Sequence, residues 1–182
     1  MSTWMLILGR VDERLLHALV MRRRSLVSYG MAGITRLADP AVALIIALVL
    51  FYIPFDAPVG PALPALITLV TSHLMVQTLK RVAHRERPNL PRGFSRRVDA
   101  PDRFSFPSGH AAAALSIALP VAAVLSVVPA VGVVLLALLV GVSRCYLGVH
   151  YPGDVLMGWI LAAVCYTAGN YALPLHFEPV LF

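Results

Sequence analysis

Five apolar runs dominate this chain. The first, residues 40–55, reads PAVALIIALVLFYIPF, and others cover 60–80, 108–126, 128–147 and 152–172. A helix of roughly 20 apolar residues crosses the hydrocarbon core of a bilayer, and a helix satisfies its own backbone polar groups there. These segments therefore predict an all-α, polytopic membrane helix bundle. Composition agrees: 59% of residues are hydrophobic and 13% charged, against roughly 45–50% and about 25% in soluble domains. Pro40, Pro107 and Pro152 stand at or just before predicted helix starts, where a missing N–H does no harm. Gly60 and Pro61 open the second segment.

Residues 1–39 differ in kind. They mix apolar positions with Arg14, Arg22, Arg23, Arg24, Arg36 and Asp39, which reads as one or two amphipathic helices lying at the interface. A sixth crossing within 25–39 is the alternative. It would place Arg36 inside the bilayer at a cost of at least ~2.5 kcal/mol. The expectation is thus five to six transmembrane helices. Residues 1–39 form an N-terminal interfacial region and 40–182 a membrane core with a polar loop at 81–106. The first residues do not read as a signal peptide, because mixed charges follow a short apolar run. Cys145 and Cys165 lie in separate apolar segments, and no disulfide is expected between them.

The order of the crossings gathers the polar residues. If the five segments cross in turn, one face receives the end of the second, the start of the third, the end of the fourth and the start of the fifth. At those places stand Lys80 with Arg87, Ser108-Gly109-His110, Ser143-Arg144, and His150 with Asp154. Ionisable residues beside a bilayer are costly and usually functional. Three cations at a helix N-terminus make a cradle for a phosphate, with the backbone N–H groups of residues 108–110 aimed at the anion and Gly109 allowing close approach.

The same residues form three motifs. KRVAHRERP (Lys80–Pro88) has Lys, six residues, then Arg-Pro; PSGH occupies 107–110; and SRCYLGVHYPGD (Ser143–Asp154) has Ser-Arg, five residues, His, three residues, Asp. In this order they resemble the signatures of the type-2 phosphatidic acid phosphatase family, across about 75 residues of the chain. The resemblance implies a metal- and cofactor-independent phosphoric ester hydrolase working through a phosphohistidine. His150 would attack phosphorus. Asp154 would hold the other ring nitrogen and stabilise the imidazolium. His110 would protonate the leaving group and then activate water. Lys80, Arg87, Arg144, Ser108 and Gly109 would bind the phosphate. Ser143 belongs to the motif with less weight.

Blander readings remain for single residues. His150 and Asp154 lack further ligands for a metal set. Ser108 and His110, two apart, do not face each other as a hydrolase pair would. His73 reads as a hydrogen-bond partner of a neighbouring helix, and His84 as a candidate for the pocket rim. Arg92, Arg96, Arg97 and Arg103 read as a solvated or headgroup-facing loop. His17 and His176 read as surface positions. Met21, Met31, Met75 and Met157 read as packing.

A site at the helix mouths suits an amphiphile, so the expected partners are the bilayer and a lipid phosphate or diphosphate, with no nucleic acid. By resemblance the candidates include polyprenyl diphosphates, phosphatidic acid and phosphatidylglycerophosphate. All 15 Lys and Arg fall on the catalytic side of the five-crossing topology. The positive-inside rule then places that face in the cytoplasm, and the resemblance, to compact bacterial members, implies a bacterial inner membrane. The resemblance leaves the outer face open, since relatives that recycle polyprenyl diphosphate work there. A non-catalytic protein that binds or moves anionic lipids would need the cations but no nucleophile. A vanadate-dependent haloperoxidase shares the motif but not the hydrophobicity.

Overall fold

The computed structural model describes residues 3–55, 60–99 and 102–172. Among them the chain forms α1 (Thr3–Met21), α2 (Ser25–Thr35), a 3-10 turn (Arg36–Ala38), α3 (Pro40–Val49), α4 (Ala62–Ala83), α5 (Gly109–Ala123), α6 (Val127–Tyr146) and α7 (Pro152–Ala172). No strand forms among the described residues; Glu86 and Phe104 make an isolated antiparallel bridge.

Helices α4, α6 and α7, of 22, 20 and 21 residues, are long and apolar enough to cross a membrane. Helix α5 has only 15 residues, yet it is central, touching α3, α4, α6 and α7. Its start and the end of α6 reach the same end of the bundle, so α5 and α6 run antiparallel.

The first apolar run behaves differently from its neighbours. Helix α3 stops at Val49, short of the expected 55. Ten residues rise only ~15 Å, about half of the hydrocarbon thickness. Pro54 disfavours helix at the residue before it, which limits any continuation. Residues Ser25–Ala38 and Pro40–Val49 together reach spanning length, but with a bend of 59° between them. The bend falls at Asp39, which is extended (φ −59°, ψ 139°), before a proline that has no N–H to continue a ladder.

Contacts at its two ends fix the direction of α2. The Arg24 N–H donates to the Tyr146 hydroxyl at 2.8 Å, and Arg144 Nη1 donates to Thr35 Oγ1 at 2.8 Å. Both ends of α2 therefore sit at the same end of α6, and the helix lies across that end. Helix α1 packs against α6 and α7, with Leu16 and Val20 fully buried against Ala111, Cys145 and Val155.

Small residues let the helices approach closely. Ala118, Ala137 and Ala162 meet beside Leu115, and Ala43 and Ala47 meet Leu69. Ser72 and Ser116 share a hydrogen bond of 2.8 Å between α4 and α5. A close approach to backbone occurs at Gly158, where a Cβ would lie 2.5 Å from the Ser108 carbonyl oxygen. Glycine there brings α7 against the first turn of α5, and with it Asp154 beside the PSGH segment.

Candidate active site

Every residue singled out in the three motifs arrives at one end of the bundle. Lys80 lies in the last turn of α4, Ser108 caps α5, Gly109 and His110 open α5, Arg144 lies in the last turn of α6, and Asp154 lies in the first turn of α7. His150 sits in the turn between α6 and α7. His150 and Arg144 are each 2% exposed and Asp154 0%.

The loop after α4 is organised rather than merely solvated. Ser105 N–H donates to the Arg85 carbonyl at 2.8 Å, and Ser105 Oγ donates to the Glu86 carbonyl at 2.9 Å. This clasp holds residues 85–87 extended, so alternate side chains point to opposite sides. Arg85 and Arg87 turn inward, while Glu86 faces outward toward Arg103 at 3.9 Å. Arg87 Nη1 donates to the Val149 carbonyl at 2.8 Å and lies 3.3 Å from His150 Nε2.

His150 Nδ1 faces Asp154 Oδ2 at 3.5 Å, longer than an ordinary hydrogen bond, and has no other partner among the described residues. Catalytic contacts of this kind commonly tighten when substrate binds. A proton on Nδ1, aimed at the carboxylate, leaves the Nε2 lone pair facing the cations. Burial pulls the pKa of His150 down to about 4; Asp154 opposes this, and the Arg144 and Arg87 charges add to it. The ring is therefore neutral at pH 7, the state a nucleophile requires.

The cation cradle holds an internal anion. Asp102 accepts from Lys80 Nζ through Oδ2, and from Arg87 Nη2 through Oδ1 at 2.8 Å. Burial raises the Asp102 pKa, but the hydrogen bonds and charges of Lys80 and Arg87 outweigh it and hold the carboxyl below its usual value. Arg144 is bound only through Nη1; its Nε and Nη2 are buried without partners among the described residues. An unpaired buried guanidinium is costly, and a bound oxyanion would satisfy it.

Ser108 is engaged within the fold. Its N–H donates to the Asp154 carbonyl at 2.9 Å, and its Oγ accepts from Ala111 N–H at 3.4 Å. It is a helix cap that ties α5 to α7, and the N–H groups of Gly109 and His110 are left for an anion. Ser143 Oγ donates to the Val140 carbonyl at 2.6 Å within its own helix.

Several site residues were missed in the sequence. Asp39 Oδ1 lies 2.8 Å from His110 Nε2 and orients that ring. Arg85 bridges Asp154 and Asp12 at 2.8 and 2.7 Å. Asp39 and Asp12 sat within an amphipathic stretch without a motif. Arg85 and Asp102 fall in the polar loop at 81–106 without a defining motif position. Alternation around Arg87 would have singled out Arg85, had the segment been recognised as extended.

The secondary candidates resolve simply. His73 pairs at 3.3 Å with Gln77 of its own helix rather than a neighbouring one. His84 closes α4 in a left-handed conformation (φ 47°) and meets Phe104 edge-on, with ring centroids 4.9 Å apart. His17 lies 3.0 Å from the Asn89 carbonyl, tying α1 to the loop. Both cysteines are free. His176 lies outside the described residues.

A cavity of about 450 Å³ joins this site to the side of the bundle. Lys80, Arg87, Gly109, His110 and His150 line one end, and Leu44, Leu69, Val70 and Leu74 of α3 and α4 line the other. Among the described residues, no group of three or more His, Cys, Asp or Glu side chains is placed to hold a metal ion.

Comparison with known proteins agrees with this geometry. Residues 61–176 match the PAP2 superfamily. A phosphatidylglycerophosphatase B of Bacillus subtilis is 32% identical over 172 residues, covering 85% of this chain and 79% of the relative. A decaprenylphosphoryl-5-phosphoribose phosphatase of Mycobacterium tuberculosis is 39% identical over 95 residues, 50% of each chain, so the match spans about half the length of that relative. The crystal structure of a transmembrane PAP2-type phosphatidylglycerolphosphate phosphatase from Bacillus subtilis superposes with a TM-score of 0.68 at 27% identity, covering 93% of this chain and 90% of the other.

Proposed function

The chain belongs to the PAP2 superfamily, and from that premise we propose that it is an integral membrane lipid phosphatase that hydrolyses a phosphomonoester or diphosphate through a phosphohistidine. The observation that carries this reading is the pairing of a buried, neutral His150, backed by Asp154, with a cradle of Lys80, Arg87 and Arg144 at the mouth of an apolar cavity.

The roles follow from position. The scissile phosphate displaces the Asp102 carboxylate from Lys80 and Arg87, fills the free donors of Arg144, and takes the amides of Gly109 and His110. Ser108 serves as the cap that keeps those amides free. His150 Nε2 attacks phosphorus in line, and the phosphorus–oxygen bond to the lipid breaks. His110, oriented by Asp39, gives its proton to the leaving oxygen. It then takes one from the water that cleaves the phosphohistidine. The cations stabilise the charge spread over the equatorial oxygens throughout.

The lipid tail lies in the cavity between α3 and α4, and the leaving group departs into the bilayer. The relatives act on polyprenyl sugar phosphates and on phosphatidylglycerophosphate by their names, and those two classes head the substrate panel. The charge bias of the loops supports a cytoplasmic site face in a bacterial inner membrane.

The test is phosphate release from that panel by purified protein in detergent with EDTA, beside His150→Ala and His110→Ala. Release that survives the chelator and disappears in both variants is expected. Equal release from the variants, or none from any lipid, would reject the reading.

A further inference from the structure

The Asp154 carboxylate, on which His150 depends, is itself held by residues that are not defining positions of the three motifs, and one of them, Asp12, lies outside all three. Two donors hold it directly, and Asp12 with the Gly153 N–H braces one of them. Asp154 Oδ1 accepts from Arg85 Nη1 at 2.8 Å, and Oδ2 accepts from the Tyr151 N–H at 2.8 Å. The other Arg85 nitrogen, Nη2, donates to Asp12 Oδ2 at 2.7 Å. Asp12 Oδ1 in turn accepts from the Gly153 N–H at 2.8 Å. The Arg85 guanidinium also lies over the Tyr151 ring, 4.2 Å from its centroid. A Cβ at position 153 would stand 2.7 Å from Asp12 Oδ2, so glycine there keeps room for this acid.

Resting on the phosphohistidine reading, we propose that Arg85, braced by Asp12 of α1, is the positioning residue that orients Asp154 toward His150. Arg85 takes one carboxylate oxygen and the Tyr151 amide takes the other. The carboxylate plane is thereby fixed, and the remaining lone pair of Oδ2 is left for His150 Nδ1. Without Arg85 a fully buried carboxylate would lose its direct ion-pair partner, and rotation about its side chain would be free to lengthen the contact to His150. A planar guanidinium that binds two carboxylates and stacks on a ring suits this task better than an ammonium. Asp12 explains why α1 contributes to the chemistry: it holds Arg85 from the far side while anchoring the first turn of α7. The charged and titratable groups that face Asp154 are Arg85 and Arg87 of the loop, Asp12 of α1, Cys145 of α6, and His150 and Tyr151 of the turn. Arg85 is not among the residues lining the apolar cavity or the cation cradle, which separates its role from phosphate binding.

The test compares Arg85→Met, Arg85→Lys and Asp12→Asn in the full chain in detergent. Arg85→Met is expected to lower kcat about 100-fold, the scale on which loss of a partner that orients a reacting group is felt. KM and inhibition by inorganic phosphate should stay within about twofold, because the contact is absent from phosphate binding. Arg85→Lys should restore part of kcat, and Asp12→Asn should lie between Arg85→Lys and wild type. A parallel rise of KM and of the phosphate inhibition constant would overturn the proposal and make Arg85 a substrate contact. Unchanged kcat would overturn it as well. A second measurement stands apart from turnover: in protein labelled with 15N-histidine, the wild-type His150 ring should carry its proton on Nδ1 at pH 7, and Arg85→Met should lose that preference. Retention of the preference would overturn the proposal. Absence of phosphate release from the wild type would reject the phosphatase reading, while the labelled protein would still decide what Arg85 does.

Discussion

Arg87 and Asp102 are joined twice: Nη2 donates to Oδ1 at 2.8 Å, and Nε donates to the Asp102 backbone carbonyl at 2.9 Å. With Lys80 on its other oxygen, the Asp102 carboxylate occupies two cations of the proposed phosphate site. In the proposed reaction, phosphate binding is then an exchange of one anion for another. Asp102→Asn should bind inorganic phosphate about tenfold more tightly, since charge-assisted hydrogen bonds are worth ~1.5–3 kcal/mol. The inhibition constant for phosphate reads this directly, and a weaker constant in the variant would mean that Asp102 builds the cradle rather than fills it. Because the Asp102 carboxyl is held below its usual value, its stabilising effect is present above an unfolded value of about 4 and lost as pH falls through the folded value. Thermal unfolding at low pH should then be less pH-dependent in Asp102→Asn than in wild type.

The depressed pKa of His150 gives a second prediction. Burial brings it to about 4, against about 6.5 for a free imidazole. Between those values the unfolded chain binds a proton that the folded chain refuses, so stability is present above pH ~6.5 and falls as pH drops toward 4. NMR titration of 15N-histidine-labelled protein should show the His150 ring neutral at pH 5.5. A midpoint near 6.5 would show an exposed imidazole and would remove the case for a pre-formed nucleophile.

The sequence carried the spans and the motif residues because both are written in local signals. Apolar length marks α4, α6 and α7, and fixed spacings mark Lys80, Arg87, His110, Arg144, His150 and Asp154. What escaped depends on contacts between distant segments. Asp12 and Asp154 are 142 positions apart, and Arg85 joins them; no spacing rule reaches that far. Asp39 pairs with His110 only because the chain bends by 59° before α3. The use of the Ser108 amide was not legible because a helix N-terminus can offer its first amide to a ligand or to another helix, and the Asp154 carbonyl takes it here.

The close approach of α7 to α5 sets the distance between Asp154 and the PSGH turn, and Gly158 permits it. A methyl group at this position would meet the Ser108 carbonyl oxygen at 2.5 Å and Ala111 Cβ at 3.1 Å. The nearest obstacle is backbone, so the helices must part. Gly158→Ala should destabilise the fold by about 1–3 kcal/mol, as overpacking does, and should lower kcat more than it raises KM. Thermal unfolding and steady-state kinetics measure the two effects. A variant with normal stability and activity would show that the α5–α7 contact is adjustable and does not position Asp154.

The apolar end of the cavity predicts how chain length enters the kinetics. Val70 lines it from α4 and is 47% exposed, so the position has room for a larger side chain without disturbing the packed core. Val70→Trp should fill part of the ~450 Å³ space. A long-chain lipid phosphate must then withdraw methylene groups from the protein surface into lipid or detergent, losing van der Waals contacts rather than hydrophobic burial. A loss of about 1 kcal/mol in such contacts corresponds to a rise in KM of roughly fivefold. A water-soluble phosphomonoester with a short tail reaches Lys80, Arg87 and His150 without using that end, so its kcat and KM should not change. The comparison of the two substrates on one variant separates a lipid path from a general loss of activity. If both substrates were affected alike, the cavity would be part of the catalytic scaffold and the tail would lie elsewhere. If neither were affected, the substrate would approach from the polar face of the loop, past Arg96 and Arg103, instead of from the side of the bundle.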